Sequence, residues 1–197
     1  TPDESSTLYT APFDIKESTD VRVVAIKDGK RSNVIEGNFK KIAAGRTIKI
    51  ENRYNSQYEA GGDIALIDFQ RGSNNFRVGT WQGYHGVDLI ATVDLSEVQE
   101  IEQVAGSFLQ DQKSWIFMPK QVEFFISNDG KNFKSIGVVK NHISQETEEP
   151  VMHEFSIDKK FSARYIKMVA KKIDACPDWH VGAGEPGWIF CDEIVIK

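Results

Sequence analysis

The sequence predicts an all-β chain folded as a β-sandwich or jelly roll. Three observations carry that prediction. Almost every periodic segment alternates with period two, amphipathic helical stripes are nearly absent, and Asp-Gly or Gly-rich turn signals separate the segments. Short alternating strands joined by tight turns need a second sheet to cover their apolar faces, which is the layout of a sandwich.

The elements follow in order. Val21-Arg22-Val23-Val24-Ala25-Ile26-Lys27 is rich in β-branched residues and runs into Lys27-Asp28-Gly29-Lys30. That Asp-Gly pair suits the positive-φ positions of a hairpin turn. The returning strand is expected over 33–41. Further strands are expected at 47–51, 64–68, 88–95, 101–109, 121–127, 133–139, 151–157, 163–170 and 188–196. Ser127-Asn128-Asp129-Gly130-Lys131 marks a second Asp-Gly hairpin. Residues 96–103 form the one weakly helical stretch, and their Val and Ile content leaves it open between helix and strand. The small residues Ala43-Ala44-Gly45 mark a junction. They divide the chain into 1–43, too short to bury a core of its own, and a domain over 46–197.

Composition narrows the partners. Hydrophobic residues make up 40% and charged residues 27%, which suits a buried core rather than wholesale disorder. The net charge is -5 with both signs interspersed, which argues against nucleic acid and against docking to anionic lipid heads. No segment approaches the roughly 20 apolar residues of a membrane span, so no membrane insertion is expected. The chain opens at Thr1-Pro2-Asp3 without an initiator Met and is expected to be a piece of a longer polypeptide. Cys176 and Cys191 are either two ordinary thiols, the favoured reading, or one disulfide.

Catalytic signatures are missing. His85, His142, His153 and His180 show no metal-ligand spacing, and there is no Gly-x-Ser-x-Gly elbow or phosphate loop. Nothing distinguishes a catalytic pair among the 29 acidic residues. The chain is therefore not expected to be an enzyme by itself.

Binding chemistry is present instead. A sugar offers apolar C–H faces rimmed by hydroxyls, and proteins grip it with an aromatic platform plus planar polar groups. Three long, aromatic-rich segments supply such residues: 69–82, 110–119 and 173–187. Trp115 and Trp179 are the candidate stacking faces. Arg71, Arg77, Gln110, Asp111 and His180 are the candidate hydroxyl partners. Trp115 reads equally as a plug at the end of the sandwich, and Arg71 and Arg77 as salt-bridge ties between loops. Trp81 and Trp188 read as core, and Tyr54 and Tyr58 as ordinary aromatics. Asp68, Thr80 and Glu193 would make an oxygen cage for Ca²⁺ if they converge.

These residues also carry a resemblance. Ala65-Leu66-Ile67-Asp68, Thr80-Trp81, Val93-Asp94-Leu95, Val122 to Gly130, Arg164-Tyr165-Ile166-Lys167 and Asp192-Glu193-Ile194 occur in the order of a known fold. In them, residues 46–197 resemble the discoidin-like (coagulation-factor type C) jelly roll of family 32 carbohydrate-binding modules. Gly61-Gly62-Asp63, Arg71-Gly72-Ser73, Trp81-Gln82-Gly83 and Phe108-Leu109-Gln110-Asp111 are similar to the version appended to family 20 glycoside hydrolases of Bacteroides-type bacteria. Residues 1–43 look like the tail of the small Ig-like module that follows the catalytic barrel in those β-N-acetylhexosaminidases and chitobiases. The resemblance implies a structural Ca²⁺ at Asp68, Thr80 and Glu193, with Phe69 standing where the family usually has Gly. It also implies a glycan ligand of N-acetylhexosamine or galactose type, a catalytic barrel in the same parent chain, and a periplasmic, outer-membrane-associated or secreted location. The competing reading is a structural spacer with no ligand.

Overall fold

The computed structural model describes residues 2–39, 41–42 and 45–197. The junction residues Ala43 and Ala44 lie outside the described residues. The chain divides into two units, Thr1–Ile42 and Ala43–Lys197.

The first unit is built of two small antiparallel pairs. Strand β1 (Thr19–Val23) pairs with β4 (Ile35–Phe39), and β2 (Ile26–Lys27) pairs with β3 (Lys30–Arg31). Asp28 (φ 50°) and Gly29 (φ 70°) make the tight turn that their sequence predicts. The single strand expected over 21–27 is split: Ala25 N–H donates to the Ser32 hydroxyl at 3.0 Å, and Ser32 N–H to the Ala25 carbonyl at 2.9 Å.

The second unit is an all-β sandwich. Its strands are β5 (Thr47–Ile50), β6 (Gln82–His85), β7 (Leu89–Gln110), β8 (Gln121–Ser127), β9 (Lys134–Lys140), β10 (Val151–Lys171) and β11 (Trp188–Ile196). Every pairing is antiparallel, in the order β6-β11-β7-β10-β8-β9, with β5 on β7. The two long strands serve both layers. The first half of β7 pairs with β5 and with the end of β10; its second half pairs with β11 and with the start of β10.

Burial along β7 shows where the crossing falls. Residues 89–95 alternate in burial, 96–100 face mostly solvent, and burial resumes at Ile101. Ser96 takes a left-handed φ of 71° there, and β10 carries bulges between Asp158 and Phe161 and between Ala163 and Tyr165. An extra residue in one strand bends the ribbon and raises its twist, which lets both strands pass between layers. The layers meet over Leu89, Val93, Phe108, Phe124, Phe155, Met168 and Ile194. They approach so closely that a Cβ on Gly106 would lie 2.5 Å from the Met168 sulfur.

Several expectations change. The strands expected at 88–95 and 101–109 are one strand, as are those at 151–157 and 163–170, because the connecting residues bend without breaking the ladder. The stretch 96–103 is strand, not helix. Residues 64–68 are not a strand: Asp63–Ile67 is a 3-10 turn that buries Ala65, Leu66 and Ile67. Gly61 (φ 100°) and Gly62 (φ 105°) turn the chain into it. Strand β6, Gln-Gly-Tyr-His, lacks the β-branched signature and went unpredicted.

Candidate functional site

Strand β7 ends at Gln110 and β11 starts at Trp188, so the loops 111–119 and 173–187 leave the same end of the sandwich. Their main chains interlock. Asp111 and Ile116 exchange hydrogen bonds at 3.0 and 3.1 Å, Phe117 N–H donates to the Trp188 carbonyl at 3.0 Å, and Trp188 N–H donates to the Trp115 carbonyl at 2.8 Å.

Inside this knot, three predicted sugar contacts are spent internally. The His180 ring is buried, its Nε2 lies 2.8 Å from the Gln112 carbonyl, and its Nδ1 accepts from Gly182 N–H at 3.0 Å. Both nitrogens are engaged, which corrects its reading as a hydroxyl partner. Gln110 is fully buried; its Nε2 donates to the Ser144 carbonyl at 2.7 Å and its Oε1 accepts from Met118 N–H at 3.4 Å, which corrects the same reading. Trp115, at φ 65°, presses its indole on Gly182, where a Cβ would fall 2.4 Å from the ring. It packs with Phe117, Ile173 and Cys176, so its plug reading wins over its platform reading. Asp111 is half-buried and accepts from the Ser114 hydroxyl at 2.8 Å.

Trp179 differs. The residue is 47% exposed, its ring stands edge-on to His180 at 5.7 Å, and Val181 beyond it is 88% exposed. The loop therefore holds an indole in solvent on a base fixed by His180. Cys176 and Cys191 are both buried and free.

The two arginines separate. Arg71 donates to the Ser107 hydroxyl at 2.9 Å and to Glu154 at 2.7 Å, and its Nε stands 3.3 Å from Asp192. That makes it a tie between loop and sheet, as its salt-bridge reading expects. Arg77 is exposed, with its guanidinium 4.2 Å from the centre of the Phe76 ring. It lines a cleft of about 480 Å³ together with Ser56, Gln57, Tyr58, Glu59 and Trp81. Trp81 is core, as its sequence context predicts: its ring fills the space over Gly72 and its Nε1 donates to the Ser73 carbonyl at 3.0 Å. Tyr58 was read from the sequence as an ordinary aromatic, and Glu59 was not singled out. The available signal was the polar-aromatic run Ser56-Gln57-Tyr58-Glu59 ahead of two glycines.

Two of the three residues expected to hold a metal, Asp68 and Glu193, lie beside the 3-10 turn. Phe69 N–H donates to Glu193 Oε2 at 2.8 Å, which joins the Asp68 turn to β11. Phe69 itself is left-handed (φ 66°), so this chain makes the turn with a bulky residue where Gly would enter it without strain. Burial pushes the Glu193 carboxyl up to about 9; Phe69 N–H counters the rise, and Asp68 and Asp192 add to it. Burial likewise raises Asp68 and Asp192. Glu193 Oε1, Thr80 Oγ1 and Asp192 Oδ1 are buried with no hydrogen-bond partner. The orphaned oxygens of Glu193 and Asp192 are hard donors of the type a calcium-type cation takes, and Arg71 Nε, 3.3 Å from the other Asp192 oxygen, already brings positive charge to them. Among the described residues, no three His, Cys, Asp or Glu side chains form a metal-holding group. A cation here would therefore need the Thr80 hydroxyl and main-chain carbonyls to complete its shell.

The model of the F5/8 type C domain matches residues 47–189, and the chain belongs to that family. The model described as Fn3 associated matches residues 1–39. The comparison with curated proteins finds no match. Among solved structures, the chain is similar to a family 29 fucosidase of Ruminococcus gnavus at 13% identity and TM-score 0.50, over 78% of this chain and 25% of that one. It is also similar to the module CBM32-1 of a family 31 glycoside hydrolase from Clostridium perfringens, at 15% identity and TM-score 0.49, over 80% and 97%. The C-terminal domain of a chitobiase from Bacteroides fragilis matches at 21% identity and TM-score 0.48, over 78% and 93%.

Proposed function

We propose that residues 46–197 form a non-catalytic carbohydrate-binding module that holds a parent glycoside hydrolase against its glycan. The observation that carries this reading is the cleft of Tyr58, Glu59 and Arg77, where a ring, a carboxylate and a guanidinium share one open concavity. Such a set grips a neutral sugar: the ring covers C–H faces, the carboxylate accepts from hydroxyls and the guanidinium donates to them. Holding the enzyme at its polymer raises the local substrate concentration without any new catalytic contact. The parent is read from the sequence resemblance as a bacterial β-N-acetylhexosaminidase, periplasmic, outer-membrane-associated or secreted, with N-acetylhexosamine or galactose-type sugars as ligand. Its residues 1–43 are read as the tail of an Ig-like module.

The same reading includes a structural Ca²⁺ held by Asp68, Thr80 and Glu193. It would supply positive charge to carboxylates that burial otherwise drives toward their neutral form. Within the chain, Phe69 N–H orients Glu193 for that role.

A glycan array probed with the folded chain, once with Ca²⁺ and once with chelator, tests the proposal. Retention on terminal hexosamine or galactose glycans is the expected result. Folded protein that retains no glycan in either condition would leave the structural spacer as the better reading. Calcium is tested separately by melting. Millimolar Ca²⁺ should raise the melting temperature by several degrees, because a ligand at about 100 times its Kd adds about 2.7 kcal/mol. Glu193→Gln should erase that increment, and an equal increment in the variant would remove Glu193 from the site.

A further inference from the structure

We infer that the ligand is an extended neutral oligosaccharide lying across the loop end, from the Tyr58–Arg77 cleft to Trp179, and not a single terminal sugar. This inference rests on the carbohydrate-binding reading above and deepens it.

A series of aromatic contacts joins the two places where apolar surface and solvent meet. The cleft holds Tyr58, whose ring meets Phe76 at 5.9 Å and Trp188 at 5.4 Å, both edge-on. Trp188 is half-buried and bonded through its backbone N–H to the Trp115 carbonyl. Trp115 meets His180 at 5.5 Å, and His180 meets Trp179 at 5.7 Å. The inner members are fixed by packing or by committed hydrogen bonds. Exposure is left to the outer ones, Arg77 at one end and Trp179 at the other.

A single pyranose ring covers about one aromatic side chain, so one sugar seated in the cleft leaves Trp179 unused. A chain of several sugars offers a further ring for it. Exposed Trp179 with no polymer to meet would be apolar surface without a partner on a rigid base. Charge fixes the class further. Glu59 and Arg77 line the same cleft with opposite signs, so a uronate or sulfated sugar gains at one and loses at the other, whereas hydroxyls satisfy both. Anchoring at two separated points also means that neither contact alone needs to be strong.

The test is isothermal titration of the full chain with the mono- to hexasaccharide series of N-acetylglucosamine and of galactose. In the series that binds, affinity should rise about ten-fold from the monosaccharide to the tetrasaccharide, the gain expected when a second aromatic contact engages. Arg77→Ala should abolish binding at every length. Trp179→Ala, with its melting temperature unchanged, should collapse the tetrasaccharide-to-monosaccharide ratio toward one. Equal affinity at all lengths would overturn the extended ligand while leaving the carbohydrate-binding reading intact. A ratio unchanged by Trp179→Ala would overturn the assignment of the far contact. No binding to either series would overturn the inference, and a blank glycan array would remove the reading beneath it as well.

Discussion

Gly182 lies under the face of the Trp115 indole, where a Cβ would be 2.4 Å from ring carbon. Gly182→Ala must therefore push the indole out or lift the loop. Overpacking of this kind costs about 1–3 kcal/mol, readable as a lower urea midpoint with unchanged slope. His153 makes a second prediction at this scale. Its ring is edge-on to His142 at 4.7 Å and to Phe155 at 5.1 Å, and burial, then the neighbouring His142, lower its pKa against a weaker opposite pull from Glu154. A His whose folded pKa is depressed leaves the unfolded chain with more bound protons. Stability is thus complete above pH 6.5 and declines as pH falls from there toward the folded value. His153→Phe should remove that decline from urea midpoints measured between pH 7.5 and 5. The residue scale is also where sequence reading was weakest. Gln110, His180 and Arg71 have the chemistry of sugar contacts, but their partners Ser144, Gln112 and Glu154 are distant in sequence, and only the closed fold shows the groups already engaged.

At the scale of elements, the hairpin between β8 and β9 was legible and explains its own stability. Asp129 accepts from Lys131 N–H at 2.9 Å, Asn132 N–H at 2.8 Å and Asn132 Nδ2 at 2.7 Å, and Gly130 (φ 68°) turns beneath Tyr165. These donors hold the Asp129 carboxyl far below the usual carboxylate range. Its contribution is present above pH 3.8 and lost as pH falls below that value toward the folded one. Asp129→Ala should lower the melting temperature at pH 7 and narrow the gap between pH 7 and pH 2.5. Strands with strong β-branched alternation, such as Gln121–Ser127 and Trp188–Ile196, were read with their observed bounds. The crossings near Ser96 and Asp158 were not, because a bulge leaves no compositional mark and a bent strand reads as two. The apolar run at Ala65–Ile67 was ambiguous by nature, since a short buried run has no period.

For the molecule as a whole, the division into Thr1–Ile42 and Ala43–Lys197 makes a prediction about independence. The second unit buries its own continuous core, from Leu89 through Ile194, so residues 45–197 alone should melt within a few degrees of the full chain. A collapse of more than ten degrees on removing residues 1–42, measured by circular dichroism, would show that the units share stability.

The placement of β11 sets an order of events in time. This strand occupies an inner position, between β6 and β7, and its residues Phe190 and Ile194 oppose Leu109 and Gly106, some 80 positions earlier in the chain. Until it arrives, the neighbouring edges of β6 and β7 are unpaired and Phe108 has lost its cover. A ribosome-bound chain therefore cannot complete its sandwich before residue 196 has left the exit tunnel, and it must keep two adhesive edges apart in the meantime. Stalled chains ending at residue 187 should be cut readily by protease, whereas chains extended well beyond residue 197 should resist. Late closure of this kind leaves the gap that the last strand fills open until the whole unit has been synthesised.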